Sequence, residues 1–250
     1  MAKITCFGEV LWDVFPTHEK IGGAPLNVAL RLKSFNHEVA MISAIGNDTY
    51  GKTLLDYISK NGVDTGYIQV HPTLQTGKVQ VTLNDKGSAS YEITYPCAWD
   101  KIVMNEKLKD LVANSEAFVF GSLVARDAVS KDTLFQLLEV SSYNVFDLNL
   151  RAPHYNKDLL IHLMNKADFI KFNDDELYEV SGYLGSKYLS MEQNIRFISK
   201  ATNTKHICVT KGNHGAVLFY NHGLYYNSGY LIKVKDTVGA GDSFLGTLIS

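Results

Sequence analysis

Cysteine is scarce and unpaired in this sequence. Cys6, Cys97 and Cys208 stand far apart, are odd in number and form no Cys-x-x-Cys, so neither a disulfide framework nor a zinc site is indicated and a reducing, cytoplasmic setting is expected. Proline is also sparse, five in 250 residues, and no low-complexity tract or internal repeat occurs, which excludes collagen-like and disordered chains. Charge of neither sign dominates: 24 Lys and Arg against 26 Asp and Glu give a net charge of -2. Nucleic acid and anionic membrane therefore exert no general attraction, and phosphate binding has to be local. No long apolar run follows Met1, and the chain turns polar within a few residues, so neither a signal peptide nor a membrane anchor is expected. The eight histidines form no His-Glu-x-x-His pattern and no serine sits in Gly-x-Ser-x-Gly, leaving metalloprotease and α/β-hydrolase chemistry without a foothold.

What is present is a chain with 46% apolar residues, long enough to bury roughly 70 to 75% of its unfolded surface. Short apolar runs at Ile4 to Phe7, Val39 to Ile45, Ala117 to Phe120, Asn144 to Phe146, Asp168 to Phe172 and His206 to Thr210 read as buried strands. Segments with helical spacing lie between them: Leu26 to Phe35, Lys52 to Asn61, Asn105 to Ala113, Lys131 to Val140, Lys157 to Lys166, Asp174 to Ser181 and Met191 to Ala201. This alternation predicts an α/β fold with a mostly parallel sheet in one domain. One region breaks the rhythm. Lys78 to Leu83 alternates, Asn84-Asp85-Lys86-Gly87 supplies turn chemistry, and Ala89 to Tyr95 alternates again, the pattern of an antiparallel hairpin. With Tyr67, Tyr91, Tyr95 and Trp99 nearby, it reads as a flap over a ligand or partner, or else as a ribbon on a sheet edge.

Two glycine clusters open helices. Asp236-Thr237-Val238-Gly239-Ala240-Gly241-Asp242 follows the extended run Gly229 to Lys235 and precedes an apolar helix start. The glycines permit positive φ, and the free N–H groups of Gly239, Ala240 and Gly241 make an anion site. There Asp242 serves either as a base or merely as an N-cap. The second cluster, Ile21-Gly22-Gly23-Ala24-Pro25-Leu26-Asn27, lies downstream of Asp13. A carboxylate, glycine N–H groups and an amide there suit sugar hydroxyls, or form an ordinary loop with Asp13 solvated.

In Asp147-Leu148-Asn149-Leu150-Arg151 the polar residues alternate. Arg151 either clamps an anionic group or pairs with Asp147 at the surface. Asn173-Asp174-Asp175-Glu176 is a capping box, a site where Glu176 orients hydrated Mg²⁺, or both. Thr210-Lys211-Gly212 is a polar turn able to approach a nucleotide. Gly46-Asn47-Asp48-Thr49-Tyr50-Gly51-Lys52-Thr53 also matches the P-loop pattern letter for letter, although Asp48 and Tyr50 would sit badly against anionic phosphates.

Taken together and in order, the Gly22 to Asn27 cluster, the Asn173 to Glu176 segment and the Asp236 to Asp242 turn resemble the ribokinase-like carbohydrate kinases. The Gly46 to Gly51 turn is similar to that family's Gly-x-Asp-x-x-Gly segment, which weakens the P-loop reading. The resemblance implies a Rossmann-like core with a small β lid, here about residues 14–22 and 75–98, and transfer of the ATP γ-phosphate to a sugar or nucleoside hydroxyl with Mg²⁺ and, in many members, K⁺. It implies Asp242 as base, Gly239 to Gly241 as anion hole, and Asp13, Gly22, Gly23, Asn27 and Arg151 at the sugar. Asn173, Glu176, Thr210 and Gly212 would serve the nucleotide, with Glu176 reaching Mg²⁺ through water and Asp236 near K⁺.

The opening Gly8-Glu9-Val10-Leu11-Trp12-Asp13 and the Asp-x-Asn-x-Arg segment are most similar to fructokinases, so D-fructose is the expected acceptor, with 2-keto-3-deoxygluconate and ribose as alternatives. Sugar and ATP are the expected partners, with a homodimer formed through the lid. Family members continue beyond the last helix, so a truncated chain is expected, and a non-catalytic sugar-binding fragment is the competing reading.

Overall fold

The computed structural model describes residues 1–83, 89–230 and 238–250. Its strands are β1 Lys3–Phe7, β2 Leu11–Val14, β3 Glu19–Gly22, β4 Glu38–Gly46, β5 Ile68–His71, β6 Gly77–Leu83, β7 Ala89–Ile93, β8 Ala117–Gly121, β9 Asn144–Asp147, β10 Phe169–Asn173, β11 His206–Thr210, β12 Ala216–Tyr220 and β13 Gly223–Asn227. The helices are α1 Ala24–Ser34, α2 Thr49–Lys60, α3 Glu106–Ala113, α4 Ala128–Leu138, α5 Lys157–Lys166, α6 Asp174–Tyr183, α7 Met191–Thr202 and α8 Ala240–Leu248.

Nine strands form the central sheet in the order β13-β12-β11-β10-β9-β8-β1-β4-β5, parallel from β11 to β5. Alternate residues feed two cores. Phe118, Phe120, Phe146, Ile170 and Phe172 pack towards α3 to α7, while Val119, Val145, Phe169 and Cys208 pack towards α1, α2 and α8. Burial on both faces is why these strands read as continuous apolar runs. Phe118, Phe120 and Phe146 stack in a row with centroids 5.9 and 5.0 Å apart.

The predicted hairpin is present as β6 and β7, and it does not extend the edge of the central sheet. It joins β2 and β3 in a separate four-stranded sheet, β3-β2-β6-β7. Its turn, residues 84–88, lies outside the described residues, as does most of the extended run expected from Gly229 to Lys235. The strands β2, β3, β5, β12 and β13 were not legible as strands. β2, β3, β5 and β13 are short and largely half-exposed or exposed, and β13 pairs with the mostly buried β12 in an antiparallel hairpin after the parallel run.

Capping separates the helices into two kinds. In α2 to α7 a side chain closes the N-terminus: Asp48, Asn105, Asp127, Asn156, Asn173 and Ser190 each accept a hydrogen bond from a first-turn N–H. The N-caps of α1 and α8 are glycines, Gly23 and Gly239, with no side-chain cap of their own. These two helices start at the carboxyl edge of the parallel strands, where α/β proteins bind ligands.

Candidate active site

Gly239 begins α8 in the left-handed region, φ 76°, and Ala240, Gly241 and Asp242 form the first turn. Open N–H groups and the positive end of the helix dipole therefore meet at this point. The Asp242 carboxylate is half-buried and its Oδ2 accepts a 2.8 Å hydrogen bond from Asn27 Nδ2 on the first turn of α1. The two helices are also joined by Arg31 Nε donating to Thr247 Oγ1 at 2.9 Å. Burial, with Asp147 adding to it, lifts Asp242 above the usual carboxylate range, while the Asn27 bond, Lys171 and Arg151 oppose the rise.

Beneath α8 lies a buried ion pair. Lys171 and Asp147 are register partners on β10 and β9, and their 2.8 Å pair is sealed at 5% and 4% exposure. Burial pulls the Lys171 ammonium down, but the Asp147 carboxylate outweighs it and holds the lysine above its ordinary value. Its Nζ lies 3.4 Å from where a Cβ on Gly241 would sit. Asp147 Oδ2 has no hydrogen-bond partner among the described residues. The reading of Asp147 as a surface partner of Arg151 is thus corrected. Asp147 is buried and pairs with Lys171, because its parity on β9 directs it to the α8 face.

Of the residues expected at the sugar, Asn27 bonds Asp242 directly and Arg151 acts on it electrostatically. Gly22 leaves room for the Asp13 carboxylate, since a Cβ there would collide with Asp13 Oδ2. Asp13 is partly buried and raised by that burial, with Lys20 and Arg151 lowering it. Gly23, φ 116°, packs against the backbone of Glu9 so closely that no side chain fits. The exposed Arg151 donates from Nη1 to Leu150 O at 2.9 Å. It also acts electrostatically on Asp13, Glu9 and Asp242.

On the expected nucleotide side, Asn173 and Glu176 form the reciprocal capping box. Asn173 Oδ1 accepts from Glu176 N, and Glu176 Oε2 and Oε1 accept from Asn173 N and Leu150 N, all at 2.8 Å. Burial raises Glu176, with the two backbone bonds opposing. Thr210 Oγ1 donates to Phe172 O at 3.2 Å, and Gly212, φ 54°, opens a short turn after β11. Asp236 lies outside the described residues.

The P-loop alternative fails on geometry. Asp48 fills the N-terminus of α2, accepting from Gly51 N at 2.7 Å, Thr76 N at 2.8 Å and Thr76 Oγ1 at 2.7 Å. A carboxylate therefore already occupies the N-terminus of α2, where a phosphate would have to sit.

Two buried charges beside the site, Lys171 and Glu9, were given no role by the motif reading. The signal for Lys171 was a lysine inside the apolar strand Phe169-Ile170-Lys171-Phe172. That for Glu9 was an acid set between Phe7 and the apolar pair Val10-Leu11. Among the described residues there is no group of three or more metal-ligating side chains, and no helix is long and apolar enough to cross a membrane.

The pfkB family carbohydrate kinase pattern matches residues 1–250. The chain is 27% identical to fructokinase-2 of Solanum lycopersicum, over 99% of this chain and 80% of that protein. It is 26% identical to the aminoimidazole riboside kinase of Salmonella typhimurium, over 100% and 80%. Its fold matches a sugar kinase of Pyrococcus horikoshii solved in complex with ATP, with TM-score 0.84 and 26% identity over 98% of this chain and 83% of that one. The mostly parallel sheet between helices is the ribokinase-like fold, and the chain belongs to the pfkB family of carbohydrate kinases.

Proposed function

We propose that this carbohydrate kinase transfers the γ-phosphate of ATP to D-fructose, giving D-fructose 6-phosphate and ADP. The observation that carries the reading is the meeting at one carboxylate of the two helices whose N-caps are glycines: Asp242, on the open first turn of α8, bonded to Asn27 on the first turn of α1. A sugar hydroxyl placed at Asp242 gives up its proton to the carboxylate as its oxygen forms the new bond to phosphorus. The bond from phosphorus to the ADP oxygen breaks in the same transfer. The charge on the moving phosphoryl group falls on the N–H groups of Gly239 to Gly241, with the Lys171 ammonium behind them.

Asp13, Gly22, Gly23, Asn27 and Arg151 hold the sugar, and Asn173, Glu176, Thr210 and Gly212 hold the nucleotide. Mg²⁺ supplies charge neutralisation on the ATP phosphates. The ion would be held without an all-protein cage, and Glu176, whose carboxylate keeps lone pairs beyond its two backbone bonds, is the residue that would orient its waters. Residues 14–22 and 75–98, which include most of the small sheet, act as the lid that excludes water. Fructose rather than another sugar is supported by the similarity to fructokinases. The similarity to aminoimidazole riboside kinase and the exposed Arg151 keep ribosides and 2-keto-3-deoxygluconate in the test.

That test is a coupled ADP-release assay with Mg-ATP and K⁺ over fructose, ribose, 2-keto-3-deoxygluconate and aminoimidazole riboside. The highest kcat/KM on fructose is expected. Turnover confined to another acceptor overturns the fructose assignment, and binding without any turnover makes the chain a sugar-binding protein.

A further inference from the structure

Glu9 has no part in the chemistry described so far, yet it sits where that chemistry is assembled. Its carboxyl is sealed from solvent at 3% exposure. Oε1 accepts from Ala24 N, the first residue of α1, at 3.3 Å, and Oε2 has no hydrogen-bond partner among the described residues. Glu9 thus does for α1, from a distance in sequence, what Asp, Asn or Ser N-caps do for six other helices. The segment that carries it is itself fastened: Gly8 N donates to Ile42 O at 3.1 Å and Ser43 Oγ donates to Gly8 O at 2.7 Å. The Gly23 backbone lies directly against Glu9 O. One turn further along α1, Asn27 holds Asp242.

We propose that Glu9 is a positioning residue of the phosphoryl-acceptor site, fixing the first turn of α1 so that Asn27 is held in the orientation from which it bonds the Asp242 carboxylate. The proposal rests on Asp242 as the base. The charged groups facing Glu9 are Arg151, from the loop after β9, and Asp242, from α8. Burial pushes Glu9 up to about 7, with its own backbone N–H, Arg151 and the Ala24 N–H lowering it and Asp242 raising it. Ionisation of Glu9 near neutrality therefore tightens the bond to Ala24 N and is transmitted to Asn27.

The test uses the full chain with ¹³C-carboxyl-labelled glutamate and ¹⁵N-labelled asparagine. The Glu9 carboxyl signal, assigned by its loss in Glu9→Gln, is expected to titrate near neutrality, and the Asn27 side-chain amide signal to move with the same midpoint. In Glu9→Gln that movement of Asn27 disappears. With the acceptor that turns over in the panel, Glu9→Ala raises the sugar KM by about tenfold or more and leaves the ATP KM within about twofold. Glu9→Gln, which keeps an acceptor for Ala24 N, holds the sugar KM within about threefold of the wild-type value. The proposal is overturned if the Asn27 amide ignores the Glu9 titration, or if Glu9→Ala raises both KM values alike. Should Glu9→Ala not fold, the Asn27 signal in Glu9→Gln still decides. Should Asp242→Asn retain full turnover, the base assignment fails while the spectroscopic link between Glu9 and Asn27 is judged separately.

Discussion

Replacing Lys171 by methionine isolates the buried charge under the anion hole. Methionine fills nearly the same volume but leaves Asp147, 4% exposed and already with an unpartnered Oδ2, as an uncompensated carboxylate in the core. Removing one partner of such a pair costs about 3 to 5 kcal/mol. At roughly 2 to 4 °C per kcal/mol for a chain of this size, the melting temperature is expected to fall by about 6 to 20 °C. The second arm is Lys171→Met combined with Asp147→Leu. It removes both charges and is expected to recover most of the loss, because an apolar pair of similar volume is about as stable as a buried ion pair. Activity does not return with stability, since the cation that lowers Asp242 and faces Gly241 is gone. Urea unfolding and calorimetry at neutral pH give the stabilities, and ADP release gives the activity. A single variant within about 1 kcal/mol of the parent, or a double variant no more stable than the single one, would refute an ionised buried pair.

Three further outcomes are expected. Asp242→Asn lowers kcat by about 10² to 10⁴ with nucleotide affinity retained, as measured by ADP release and calorimetric ATP titration. Asp48→Ala removes the α2 cap and costs about 1 to 2 kcal/mol in urea unfolding while leaving ATP affinity unchanged. Because hydrogen bonds from Thr76 and Gly51, aided by Lys78, outweigh burial and hold Asp48 below its usual value, its contribution is present above the ordinary carboxylate range. It fades as pH falls through the lowered value, so the cost of the variant shrinks in acid. Glu9 has the opposite sign: held up at about 7, it makes the fold lose stability as pH rises from the ordinary glutamate value of 4.5. Glu9→Gln is accordingly more stable than the parent above neutrality, by at most about 3 kcal/mol, and converges with it near pH 4.5 in thermal unfolding followed across pH.

The parallel core was legible because each of its strands is buried on both faces and leaves an unbroken apolar run. Phe118, Val119 and Phe120 divide between two cores, yet all three are apolar. The helices were legible from their spacing and caps, with Asn105, Asn156 and Asn173 standing one residue before α3, α5 and α6. The short strands of the small sheet were harder to read, because Asp13, Glu19 and Lys20 break the alternation for reasons of position. Glycine-rich motifs marked the starts of α1 and α8, where missing side chains are themselves the signal. What brings the two starts together, the Asn27 to Asp242 bond across 215 residues, is a tertiary fact with no local trace. Lys171 and Glu9 were present in the sequence only as charges in apolar surroundings. Their meaning depended on strand parity for one and on the approach of α1 for the other.

The role proposed for Asp242 is that of base in phosphoryl transfer from ATP to a sugar hydroxyl at the junction of α1 and α8. The most direct measurement is ³¹P NMR of Mg-ATP and fructose incubated with the parent chain and with Asp242→Asn. The account predicts a sugar phosphate monoester signal growing in step with ADP for the parent and absent for the variant, with ATP still bound by both. Monoester formed at the parental rate by Asp242→Asn, or ADP and inorganic phosphate appearing without any sugar ester, would contradict it.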